Sequence, residues 1–189
     1  MHISKLRLLP ILVIFLVFNC KRQQEDSFNF SELQPQEALT NIEIKDNLFY
    51  SNNSIFKGSI SATKEEFALN IRDQFNGQTI IAFKQLNWYR HLPFRFQIEN
   101  NYNGKVMIGR ITDSAAAKGL GYVMTEGYIE LKYLDDKKMI LSIKGKGSQY
   151  GENGLTDELV AFKGEVLFKE PIVVMEGIKL EEIVNNNSY

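Results

Sequence analysis

The sequence predicts an all-β domain, an antiparallel meander of about nine or ten strands that closes into a barrel or folds into a two-layer sandwich. Three observations predict it. From Ile42 onward, apolar and polar residues alternate with a period of two, the mark of strands with one wet face; parallel strands, covered on both sides, read as continuous apolar runs. The connections between these segments are short and rich in turn residues. No interior stretch is long enough to be the helix of a βαβ crossover.

The elements follow in chain order. Residues 1–19 read as a secretory signal: Lys5 and Arg7 form a basic start, and an apolar run from Leu8 to Phe18 follows. That run is about half the ~20 residues a membrane-crossing helix needs, and Lys21 and Arg22 come directly after it. The segment Val17-Phe18-Asn19-Cys20, which ends on the only cysteine of the chain, resembles the lipobox of bacterial lipoproteins in a relaxed form, with Val17 and Asn19 where Leu and a small residue are usual. The resemblance implies cleavage before Cys20 and acylation of its amine and thiol, with each buried methylene holding the chain to a bilayer by ~0.8 kcal/mol. It also implies a bacterial cell envelope, and Lys21 in place of an aspartate after the cysteine favours the outer membrane. Residues 20–41, polar and broken by Pro35, read as the lipidated cysteine and a tether, in which a short helix near Ser31 to Ala38 would have nothing to pack on alone. Residues 42–189 are then a single β-domain.

Within that domain the clearest strands carry Phe67, Leu69 and Ile71; Phe94, Phe96 and Ile98; Ile129, Leu131 and Tyr133; Met139, Leu141 and Ile143; and Phe162, Val166 and Phe168. Weaker alternation covers residues 42–50, 54–60, 78–85, 105–112 and 120–126. Asn76-Gly77 and Asn103-Gly104 are hairpin-turn pairs, and Asp135-Asp136-Lys137 joins two alternating segments. One helical turn is expected, capped by Asp113-Ser114, running through Ala115, Ala116 and Ala117 and stopped by Gly119. Residues 171–189 are expected to add an edge strand. A lipocalin-like barrel fits the strand count, but a lipocalin opens with Gly-x-Trp, whereas Trp88 falls mid-chain, so that resemblance ends at the count.

Composition narrows function more than it defines it. With 22 basic and 23 acidic side chains there is no basic excess for nucleic acid, and one cysteine allows neither an intrachain disulfide nor a cysteine-rich zinc site. After signal removal His91 is the only histidine left for a serine or cysteine triad, and no Gly-x-Ser-x-Gly elbow occurs. Ser61 with Lys64 and Ser54 with Lys57 match Ser-x-x-Lys, without the companion elements of acyl-enzymes. Gly145 to Gly151 lacks phosphate-loop spacing and reads as a strand-end loop, and Glu152, Asn153, Asp157 and Glu158 lack calcium-loop spacing. No catalytic residue, cofactor or metal site is expected.

The segment from Trp88 to Arg95 concentrates the only tryptophan, Tyr89, Arg90, His91 and Arg95. Aromatic and Arg side chains bring large area and directed hydrogen bonds at modest entropic cost, so these five are the expected rim of a binding surface. The alternative is a strand-to-strand corner whose Trp plugs the core. Together these features point to a lipid-anchored envelope protein with a non-enzymatic binding or scaffolding role, attached to the membrane through its anchor and meeting an envelope protein, lipid or glycan. A barrel carrying a small apolar ligand is the second expectation, and an envelope-polymer hydrolase the third.

Overall fold

The computed structural model describes residues 30–99, 103–116, 118–151 and 154–185. Cys20 and the signal segment lie outside these residues. The described residues form eleven strands in one sheet: β1 (Ala38–Ile44), β2 (Asn47–Leu48), β3 (Phe56–Thr63), β4 (Glu66–Asp73), β5 (Gln78–Lys84), β6 (Phe94–Glu99), β7 (Gly104–Asp113), β8 (Lys118–Leu134), β9 (Lys138–Gly151), β10 (Gly154–Lys169) and β11 (Val173–Glu176). The meander holds from β3 through β10, and β1 then pairs along β10 from Ala38 opposite Phe168 to Ile44 opposite Phe162. Ala38 also pairs Phe56 of β3, which closes the sheet into a ring. Following paired residues round the ring from Phe168 through Ala38, Phe56 and Asp73 returns to β10 near Gly154, so the register is strongly staggered, as closure of a tilted sheet requires. Among the described residues no helix is long and apolar enough to cross a membrane.

Alternation predicts the inside of the strong strands except at Tyr133, where a register shift after Leu131 leaves Tyr133 half-exposed and buries Leu134 instead. Phe96 and Leu141 are buried while Arg95 is exposed and Ser142 half-exposed. Phe56, Phe67, Phe83, Trp88, Phe162 and Phe168 are all fully buried, so aromatic side chains fill the ring. One end is shut by Trp88, Leu92 and Ile183, the other by Phe49 and Tyr50. At that second end the Arg110 guanidinium donates to the Phe49 carbonyl (2.6 Å) and lies 5.0 Å from its ring centre. Tyr50 donates its hydroxyl to the Gln78 carbonyl (2.6 Å).

Several boundaries differ from the sequence reading, each for an identifiable reason. Residues 42–50 are not one strand: Lys45 and Asp46, both with positive φ, turn the chain from Ile44 to Asn47, a two-residue hairpin without the usual Asn or Gly. Within residues 30–41, Leu33 is buried and β1 starts at Ala38, and Phe30–Glu32 form a 3-10 turn. Residues 120–126 and 129–133 belong to the single long strand β8, which passes through Gly127 at φ 129°. The Asp113 cap is real, its carboxylate accepting the amides of Ala115 and Ala116, but it caps a hairpin turn. Gly145 to Gly151 lies within β9, and Asp157 and Glu158 within β10, so neither is a loop. Asn103-Gly104 does not make a hairpin, because β6 and β7 both run antiparallel to β8, one after the other along it. The edge strand β11 is parallel to β3, the exception to an otherwise antiparallel sheet. Asn76-Gly77 does turn the chain between β4 and β5, with Asp73 accepting the amides of Phe75 and Gly77.

Candidate binding cleft

Residues paired across neighbouring strands share a face. On the outside of the ring, Glu43, Lys163, Lys144, Tyr128 and Gln97 therefore form one row, running from β1 over β10, β9 and β8 to β6. The next outward row holds Ala161, Lys146, Glu126 and Glu99. Between them runs an inward row with Ile44, Phe162, Gly145, Gly127 and Ile98. Gly127 and Gly145 face each other where β8 and β9 bend. A Cβ on Gly145 would sit 2.0 Å from the Glu126 carbonyl oxygen and one on Gly127 2.3 Å from that of Lys144, so only glycine permits this approach. Along the bend the outer face holds a cleft of about 670 Å³, in the size range of small-ligand sites.

Its walls are charged, and most of the charge is paired. Lys163 Nζ lies 2.9 Å from Glu43 and 3.5 Å from Asp46, and the hydrogen bond from Lys163 to Glu43 holds its ammonium above the usual lysine range. Lys146 Nζ lies 3.0 Å from Glu126. Exposed pairs like these contribute little to stability because water and salt screen them, so their effect is to fix where charge sits. Lys144, the register partner of Lys163 and two residues before Lys146, has no ion-pair partner among the described residues. A second, apolar groove of about 170 Å³ lies further along the outer face, floored by Gly109 and Gly121 and walled by Ile80, Met107, Val123 and the exposed Tyr150.

The five residues expected at a binding rim separate. Trp88 and Tyr89 are buried; the Trp88 indole donates to the Thr63 carbonyl (2.9 Å) and packs edge-on against Phe67 and Phe83. Arg90 and His91 are exposed and line neither cleft. Arg95 alone reaches the face that carries the larger cleft: it pairs with Glu130 (2.7 Å) and lies 4.3 Å from the Tyr128 ring centre. Ser54 donates to Asp73 (2.7 Å) and Ser61 lies within β3. Among the described residues no three His, Cys, Asp or Glu side chains are grouped closely enough to hold a metal ion. The charges of the cleft went unread in the sequence because Glu43, Glu99, Glu126, Lys144 and Lys163 come from five separate strands; Gly127 and Gly145, which lie within β8 and β9, were the available signal.

By fold and surface the chain is a closed β-ring with a solvated, charge-lined cleft on its outer face. It matches no protein-family model, no curated protein and no solved structure.

Proposed function

We propose that the chain is a bacterial envelope lipoprotein, acylated at Cys20 and held at the outer membrane, whose β-domain acts without catalysis by binding at its outer face. The observation that supports binding outside over an interior cargo is the filling of the ring: fully buried aromatic side chains occupy the interior, Trp88, Leu92 and Ile183 pack at one end and Phe49 and Tyr50 at the other, and the two clefts described above lie outside. A carrier of an apolar cargo needs an interior space of several hundred Å³ instead.

Two measurements test the reading. Labelled palmitate is expected to enter the wild type and not Cys20→Ala, and Cys20→Ala to leave the membrane fraction; equal labelling would overturn the anchor. Native mass spectrometry of the acylated protein released from its own envelope is expected to give the mass of the acylated chain alone. A stoichiometric apolar molecule retained by it would favour the carrier.

A further inference from the structure

From the chemistry of the larger cleft, and resting on the proposal that the outer face binds, we infer that its ligand is an acidic saccharide, with one carboxylate set on Lys144 and sugar hydroxyls donated to the carboxylates around it. The walls decide the class by what each group still needs. Carboxylates only accept and ammonium groups only donate. Lys163 and Lys146 are already engaged by Glu43, Asp46 and Glu126, whereas Lys144 stands between them with its donors uncommitted among the described residues. The site therefore asks for one anionic acceptor at its centre. Glu43, Glu126 and Glu99 retain free lone pairs and ask for neutral donors.

A cationic ligand would meet Lys144, and a phosphate dianion would face more carboxylates than uncommitted ammonium groups. An apolar ligand would find Ala161, Ile98 and Phe162 on the lining but would have to cover the charged groups of Glu43, Lys144, Lys163 and Glu126 around them. A uronic-acid type of sugar supplies one carboxylate and several hydroxyl donors on a rigid ring, and a volume of about 670 Å³ accommodates more than one such ring. Between the two charged rows the lining includes Gly127 and Gly145, where β8 and β9 approach closely.

The test uses the full acylated chain in detergent micelles and isothermal titration with a glucuronosyl disaccharide bearing one carboxylate, its uncharged methyl ester, and inorganic phosphate. The acid is expected to bind, the ester about tenfold more weakly or worse, and phosphate not to saturate. Lys144→Gln should bring the acid down to the affinity of the ester and leave the affinity of the ester unchanged. Unchanged emission from the buried Trp88 reports that the variant is folded. Equal affinity for acid and ester, an unaffected Lys144→Gln, preferential saturation by phosphate, or no binding of the acid overturns the inference. If those failures occur while Cys20 acylation and a cargo-free native mass are found, the proposal of an anchored, non-carrier protein stands without it.

Discussion

Arg95 and Phe96 are chain neighbours on β6 that point to opposite faces, and their energetics differ accordingly. Phe96 stacks 5.5 Å from Phe83 inside the ring, while Arg95 forms a solvent-facing pair with Glu130. Phe96→Ala should cost about 3 to 5 kcal/mol and Arg95→Ala should leave the urea midpoint almost unchanged. Tyr50 gives a second prediction. Burial raises its phenol pKa above the ordinary 10.0. Below that pH the phenol is protonated in both states; above it the unfolded chain releases the proton and the buried side chain resists. Its contribution to stability is thus whole below pH ~10 and falls as pH rises past it. Tyr50→Phe should cost about 1 to 3 kcal/mol at neutral pH by unpairing the Gln78 carbonyl and Thr79 hydroxyl, and should flatten the alkaline loss. A pH series of denaturant melts on both proteins checks the sign.

At the scale of elements, the long hairpins β8–β9 and β9–β10 depend on a few glycines that replace side chains with backbone contact. Gly145→Ala would drive a methyl into the Glu126 carbonyl, an immovable backbone group, and should destabilise by at least the ~1 to 3 kcal/mol typical of overpacking. Gly151→Ala, near the end of β9, meets nothing closer than 3.7 Å and should change stability by less than about 0.5 kcal/mol. Thermal melts of the two variants compare a bend with a strand end. If both were neutral, the close approach of β8 and β9 would not be a constraint on the fold.

For the whole molecule, closure determines both stability and folding. The ring is sealed by β1 lying along β10, a pairing between residues near opposite ends of the domain, and by the single Ala38–Phe56 contact with β3. Such non-local pairing must bear the entropy of a long loop before it contributes any stabilisation, so refolding is expected in about the ms to s range of all-β domains. Stopped-flow Trp88 fluorescence measures it. Ala38→Val would test the seam: Ala38 is wholly buried, so added bulk should lower the unfolding midpoint by an overpacking cost of about 1 to 3 kcal/mol. Recovery of burst-phase native emission would contradict a late ring closure.

By itself the sequence determined the fold class, the inward and outward faces of the strong strands and the Asn76-Gly77 turn. Those follow from nearest-neighbour chemistry: a two-residue period puts Phe96 and Leu141 inside, and a tolerance for positive φ turns the chain at Asn76. What only the tertiary structure decided depends on groups far apart in the chain. The merging of two strand patterns into β8 required a bend at Gly127, and the parallel edge of β11 required a free β3. Trp88 to Arg95 carried the strongest local signal for a site, yet Trp88 and Tyr89 went into the core because the end of the ring needed filling, which no local pattern expresses. The cleft has the opposite history: Glu43, Lys144 and Lys163 look like ordinary wet-face charges one strand at a time, and only the register of β1, β10 and β9 sets them side by side.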